Sequence, residues 1–123
     1  MKFHPLSGAC PEPDALAAEY RAAQKTDVLR LGERHLFFRK RMTVYYISYA
    51  GIDRFFRRVL LVPMRVSCCG GEMEVENLVI CSGGRELAMI LLRDPRMAAS
   101  VMEELKRRAP HAECVKPPPE TEE

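Results

Sequence analysis

The stretch Arg85–Pro110, RELAMILLRDPRMAASVMEELKRRAP, contains the pattern that decides the fold. Asp94 and Pro95 are typical of a helix start, because an aspartate side chain caps the first free amides and a proline needs no amide in the first turn. The apolar residues that follow recur at helical spacing: Met97, Ala98, Val101, Met102, Leu105 and Ala109. This spacing predicts an amphipathic helix with one apolar face, and that face needs a partner.

The segment just before this helix has the character of a strand. Leu87–Leu92 is apolar at both its odd and its even positions, and successive side chains of a strand point to opposite faces. A strand with one face in water would alternate with polar residues. We therefore expect the second face to be covered, either by a helix or by another subunit.

The middle of the chain consists of short runs rich in Val, Ile, Phe and Tyr, separated by turn residues. The predicted strands are 28–32, 35–40, 43–49, 54–65, 73–81 and 85–92. Connections this short leave no room for crossover helices, so neighbouring strands are expected to be antiparallel. The predicted fold class is mainly β with α: an antiparallel six- or seven-stranded bent sheet or partly open barrel, capped by one C-terminal helix, with a short N-terminal helix.

A length of 123 residues, with 47% hydrophobic and 29% charged residues, is that of one globular domain. We predict an N-terminal extension with the short helix at 1–27, the β-rich domain at 28–110 and a disordered tail at 111–123. The tail ends in a proline- and glutamate-rich run with nothing to bury.

Two parts of this pattern resemble a known family. The stretch Thr43–Arg54, TVYYISYAGIDR, is similar to segments of bacterial pleckstrin-homology-like domains, and a last strand followed by Asp-Pro and a helix fits them as well. The resemblance covers 28–110 and implies a bent sheet capped by a helix, with a non-catalytic binding role. Two features depart from it: the chain has no Trp, and the link Gly32–His35 is too short to cradle a headgroup.

Positive charge is concentrated in the predicted sheet. Residues 28–66 hold nine basic and two acidic side chains, although the whole chain is only +2. Arginine predominates, and its planar fork matches phosphate or carboxylate oxygens. The candidate anion-binding residues are Arg39, Lys40, Arg41, Arg54, Arg57 and Arg58. The alternative is that these cations form ordinary cross-strand pairs with Glu72, Glu74 and Glu76.

We therefore predict a non-catalytic binding or interaction domain whose partner is another protein or a second copy of itself. The alternative is binding of an anionic lipid or other phosphate-bearing ligand through the arginine-rich face. A third interpretation is a cysteine-based metal or enzymatic site around Cys68 and Cys69, completed by Cys81 or His35. We do not expect an enzyme, a cofactor, a metal or a nucleic-acid partner.

The cysteines indicate the compartment. There are five of them, at irregular spacing, which favours reduced thiols in a cytoplasmic protein. No apolar run approaches the roughly 20 residues of a transmembrane helix, and the first residues lack the apolar core of a signal peptide.

Overall fold

The computed structural model describes residues 2–8, 11–63 and 71–114. This part of the chain contains eight strands and two α-helices: β1 Lys2–Pro5, α1 Pro13–Ala22, β2 Gln24–Thr26, β3 Leu29–Leu31, β4 His35–Lys40, β5 Thr43–Ser48, β6 Arg54–Pro63, β7 Glu72–Ser82, β8 Arg85–Leu91 and α2 Ala98–Arg108. The strands form a five-stranded sheet, β1-β5-β4-β3-β2, and a three-stranded sheet, β6-β7-β8. The prediction of a mainly β fold with an N-terminal and a C-terminal helix is confirmed.

Each of the six predicted strands is present, because the hairpins are specified locally. The turn between β7 and β8 is an example. Gly83 and Gly84 both adopt positive φ, at 60° and 76°, and a two-residue loop with this geometry matches the twist of antiparallel strands. A glycine pair adopts these angles without steric cost.

Two strands at the N-terminus were not predicted. β2 pairs antiparallel with β3, so this hairpin spans the predicted boundary between 27 and 28. β1 pairs with β5 in parallel, from Lys2 opposite Thr43 to Pro5 opposite Tyr46. The expectation of antiparallel neighbours is confirmed for the pairs among the predicted strands, and it did not cover β1. The long connection from β1 to β5 contains α1 and leaves room for a parallel return.

The main core lies between the two sheets and is completed by α2. Val101, Leu105 and Ala98 of this helix are fully buried and belong to one cluster with Leu36 of the five-stranded sheet and Leu78 of the three-stranded sheet. Since no strand pairing joins the two sheets within the described residues, they do not close into a barrel. The prediction of one six- or seven-stranded sheet or partly open barrel is therefore wrong, because β5 and β6 follow one another in the chain without pairing. The apolar stripe of α2 therefore covers the inner face, as its spacing predicted.

The other face of the five-stranded sheet is covered by α1. Leu16 of the helix packs with Phe37, Val44 and Tyr46 in a second cluster. The Glu19 carboxylate fastens the helix further: Oε2 accepts the backbone amides of Arg34 and His35 at 2.7 and 2.8 Å, and Oε1 lies 2.8 Å from Nδ1 of His35. This sheet is thus buried on both faces.

The predicted tail begins at 111, and its first four residues lie against β6. The amide of Phe55 donates to the carbonyl of Glu113 at 2.9 Å, and Ala112 is buried. Residues 115–123 of the predicted tail lie outside the described residues. Within the described part of the chain, no helix is long and apolar enough to cross a membrane.

Candidate anion-binding site

The six predicted cations divide into two groups. Arg54, Arg57 and Arg58 lie on β6, and each forms an ion pair with a carboxylate, of Glu113, Glu76 and Glu86 respectively. Only the Arg57–Glu76 pair is of the kind expected as an alternative, with a glutamate of 72, 74 or 76. The charges of these three arginines are compensated within the chain.

The second group consists of Arg39, Lys40 and Arg41 and lies at the turn end of the β4–β5 hairpin. Arg39 and Lys40 are the last pairs of β4, opposite Val44 and Thr43, and their side chains point to opposite faces because they are neighbours in a strand. Arg39 and Arg41 line one pocket. Arg39 and Lys40 line an adjoining groove. The structure therefore separates Lys40 from the site that Arg39 and Arg41 share.

The pocket that Arg39 and Arg41 line is the candidate functional site, and we call it the cationic pocket. It has a volume of about 380 Å³. Three strands, a turn and a connecting segment contribute five basic residues: Lys25 from β2, Arg30 from β3, Arg39 from β4, Arg41 from the β4–β5 turn and Arg93 from the segment after β8. Among the described residues none of these five forms an ion pair. The five cations outnumber the carboxylates among the described lining residues, so the pocket has a net positive charge.

One carboxylate lines the cationic pocket, and its oxygens are already engaged. Asp27 Oδ1 accepts the amide of Arg93 at 2.7 Å, and Oδ2 accepts the amide of Asp94 at 2.9 Å. These bonds hold the segment after β8 against the β2–β3 turn. Asp27 thus has a positioning role, bringing Arg93 to residues that are some 50 to 70 positions earlier in the chain.

One feature of the strand pairing favours an anion at this pocket. Lys25 lies directly opposite Arg30 in the β2–β3 pair, and like charges at that position destabilise a sheet. The pocket is also formed at two tight turns. Asp27 and Arg41 are the two residues other than glycine with positive φ in the described chain, at 56° and 59°, and each begins a two-residue turn between antiparallel strands, where such angles are typical.

The arginines are partly held in place before any ligand binds. The Arg30 guanidinium lies over the Tyr20 ring at 4.4 Å from its centre, and its Nη1 donates to the Tyr20 carbonyl at 3.2 Å. Arg39 Nε donates to the Arg41 carbonyl at 2.9 Å. Fixing these side chains in advance reduces the conformational entropy that binding would cost.

An apolar groove of about 780 Å³ adjoins the cationic pocket. The two share Val28, Phe38 and Arg39 in their walls. The groove runs between the two sheets, where Tyr45 and residues 87–91 of β8 line it. An apolar groove next to a cationic pocket suits a ligand with an anionic group at one end and an apolar chain at the other.

The cysteine-based alternative has no support from the described residues. Cys68 and Cys69 lie outside them, and within them no group of histidine, cysteine and carboxylate side chains is arranged to hold a metal. Burial raises the pKa of the Cys81 thiol, which keeps it protonated rather than nucleophilic. His35 is bound to Glu19, and this pair joins α1 to the sheet.

A comparison of the chain with known protein families, with curated proteins and with solved structures finds no match. The candidate site therefore rests on the geometry described above.

Lys25, Arg30 and Arg93 were not among the predicted site residues. Lys25 precedes the arginine-rich stretch 28–66, and Arg93 directly precedes the predicted helix start at Asp94. In the sequence, each is marked only by a nearby aspartate that is typical of a turn, Asp27 or Asp94. Such a signal does not show which turns lie together in the fold.

Proposed function

We propose that this protein is a non-catalytic binding domain whose cationic pocket takes a phosphate-bearing ligand. The observation that carries the proposal is the convergence of five cations from separate elements on one pocket whose single carboxylate is bound by backbone amides. A small anion with several oxygens suits this arrangement, because four of the five cations are arginines and each can pair with two oxygens.

A lipid headgroup is the source of phosphate that we favour. The apolar groove shares three wall residues with the cationic pocket, so an acyl chain and its headgroup can occupy the two together. A free phosphate compound would use the pocket alone. The chemistry of the anionic group is the same in both cases, and the two differ in whether binding depends on a lipid surface.

We also propose that the chain has a pleckstrin-homology-like domain. Seven antiparallel strands, β2 to β8, followed by the C-terminal helix support this proposal. The cationic pocket lies at the β2–β3 and β4–β5 turns, so the short link Gly32–His35 does not limit it. A non-catalytic role in the cytoplasm agrees with this assignment.

The test is binding to two phosphate sources at low salt, where attraction is strongest. Inorganic pyrophosphate is titrated by calorimetry, and vesicles of phosphatidylcholine with and without a phosphoinositide are tested by flotation. We expect Arg41→Gln and Arg93→Gln each to weaken binding about tenfold, because a hydrogen bond to a charged group contributes about 1.5–3 kcal/mol. Arg85→Gln is the matched control, since Arg85 is exposed and does not line the pocket.

The outcomes separate the sources. Binding to phosphoinositide vesicles but not to pyrophosphate supports a headgroup, and binding to pyrophosphate alone supports a free phosphate compound. If neither probe binds at low salt, or if R85Q weakens binding as much as R41Q and R93Q, the proposed function is wrong.

A further inference from the structure

The outer face of the three-stranded sheet is apolar and is exposed around its rim, although Phe56 and Val79 at its centre are buried. Leu60 and Val75 are paired across β6 and β7, as are Val62 and Met73; β8 adds Met89 and Leu91, opposite Val79 and Asn77. Leu91 is 57% exposed and Met73 and Met89 are each 47% exposed. α2 covers the inner face of β8, so the cover expected for its second face does not come from that helix.

The outer half of the β6–β7 hairpin extends beyond the rest of the sheet. β8 pairs with β7 only from Asn77 onward, whereas β6 and β7 continue to pair as far as Pro63 opposite Glu72. The outer half is therefore a two-stranded ribbon within the described residues. Such a ribbon is marginal by itself, and a third strand stabilises it.

β6 is the edge strand of this sheet, and its free edge has sharp limits. The amide of Phe55 points away from β7, since it donates to the Glu113 carbonyl. Because outward groups alternate along an antiparallel strand, the amides of Arg57, Val59 and Leu61 point outward as well. The bridge to Glu113 occupies one end of the edge, and Pro63, which has no amide, closes the other. Within the described ranges, the open edge thus runs over 56–62 and is centred on Val59.

Negative charge is concentrated at the outer half of the same hairpin. Glu72 and Glu74 on β7 have no ion pair among the described residues, whereas Arg57 and Arg58 at the base of β6 are paired with Glu76 and Glu86. An antiparallel copy would place the acidic outer half of one hairpin beside the base of the other, where Arg57 lies on the edge strand and Glu76 lies behind it on β7. A parallel copy would place the two acidic outer halves together. Charge therefore favours the antiparallel orientation.

We propose that β6 pairs antiparallel with β6 of a second copy, in a two-fold dimer centred on Val59. Arg57 of each copy then lies opposite Leu61 of the other, and Val59 lies opposite itself. The three-stranded sheets join into one six-stranded sheet with a continuous apolar outer face. A symmetric pairing of this kind closes on itself, so assembly stops at the dimer. The dimer does not depend on the cationic pocket.

The first test removes one outward amide. Val59→Pro deletes a donor of the dimer edge but leaves the β6–β7 ladder intact, because residue 59 donates away from β7 and edge strands accept proline. Val59→Ala keeps the amide and is the matched control. By sedimentation equilibrium of the full chain, we expect a dimer for the wild type and for V59A, and a dimer dissociation constant at least about tenfold higher for V59P, since two hydrogen bonds are lost.

The second test reverses one charge and does not alter the backbone. Glu74→Lys places a cation near the arginines of the other copy, and we expect it to raise the dimer dissociation constant about fivefold at low salt, an effect that salt screens. Glu103→Lys, on the exposed side of α2, makes the same charge change away from the hairpin and leaves the dimer unchanged. Circular dichroism of each variant reports whether it folds.

A wild-type chain that stays monomeric at high protein concentration would overturn the proposal. So would a dimer that V59P and E74K leave unchanged, because the contact then lies elsewhere, or assemblies larger than a dimer. If V59P does not fold, E74K against E103K decides. None of these results bears on phosphate binding, so this inference and the proposed function fail separately.

Discussion

The two sheets of this protein differ in how completely their faces are buried. The five-stranded sheet is buried on both faces, by α1 on one side and by the main core on the other. The three-stranded sheet packs its inner face on the core, and its outer face carries exposed leucine and methionine around the buried Phe56 and Val79. The cations show the opposite difference. Those at the cationic pocket form no ion pair with any residue that the structure describes, whereas those of β6 are paired. Exposed apolar side chains favour a protein partner, and cations without ion pairs favour an anionic ligand.

The largest expected effect separates the covered face from the open one. Phe37 of β4 is fully buried in the cluster with Leu16 of α1, so Phe37→Ala should lower the free energy of unfolding by about 3–5 kcal/mol. Leu91→Ala on the outer face of β8 should lower it by less than about 0.5 kcal/mol. Urea denaturation at a concentration that keeps the chain monomeric measures both. Equal losses would mean that the outer face of β8 is covered within the chain.

A smaller effect tests how α1 is fastened to the five-stranded sheet. A Cβ atom at Gly32 would lie 2.5 Å from Oε2 of Glu19, so Gly32→Ala should displace the carboxylate from the amides of Arg34 and His35. The expected loss is about 1–3 kcal/mol of unfolding free energy, the cost of leaving such groups unpaired. Gly51→Ala is the control, because its nearest neighbour, Ser48 Oγ, is at 3.4 Å. A G32A protein as stable as the wild type would show that Glu19 does not hold the helix.

The smallest effect concerns the paired arginines of the three-stranded sheet. The hydrogen bond from Arg58 lowers the pKa of Glu86 below its ordinary value of 4.5. A lowered pKa in the folded state stabilises the protein above that value, and the contribution is lost as the pH falls through the folded-state pKa. The pair is exposed, so its contribution is at most about 1 kcal/mol. Glu86→Gln should therefore be slightly less stable than the wild type at pH 7 and equally stable near pH 2, by thermal denaturation.

A difference between E86Q and the wild type that persists at pH 2 would assign the effect to packing rather than to charge. A difference well above 1 kcal/mol at pH 7 would mean that the three-stranded sheet depends on its ion pairs as the five-stranded sheet depends on its core.

Much of the fold could be predicted from the sequence, because its signals are local. The strand His35–Lys40 has the predicted bounds, and the side chain of Asp94 accepts the amide of Arg96 at the start of the last helical segment. β1 could not be predicted, since four residues without a hydrophobic pattern become a strand only when β5 offers its edge. The candidate site was predicted in part: Arg39 and Arg41 line it, whereas the carboxylates that neutralise Arg54 and Arg58 come from Glu113 and Glu86, at distances along the chain that no pattern shows.

The amino-acid sequence alone determined the hairpins, the amphipathic C-terminal helix and the excess of arginine in the middle of the chain, because periodicity, turn residues and composition act over a few neighbours. The tertiary structure decided which cations meet and which face stays open. Lys25 and Arg93 are 68 positions apart, and they reach one pocket only after two sheets have packed around α2 and Asp27 has bound the segment after β8. Contacts of that range depend on the packing of the whole core, which no local pattern encodes.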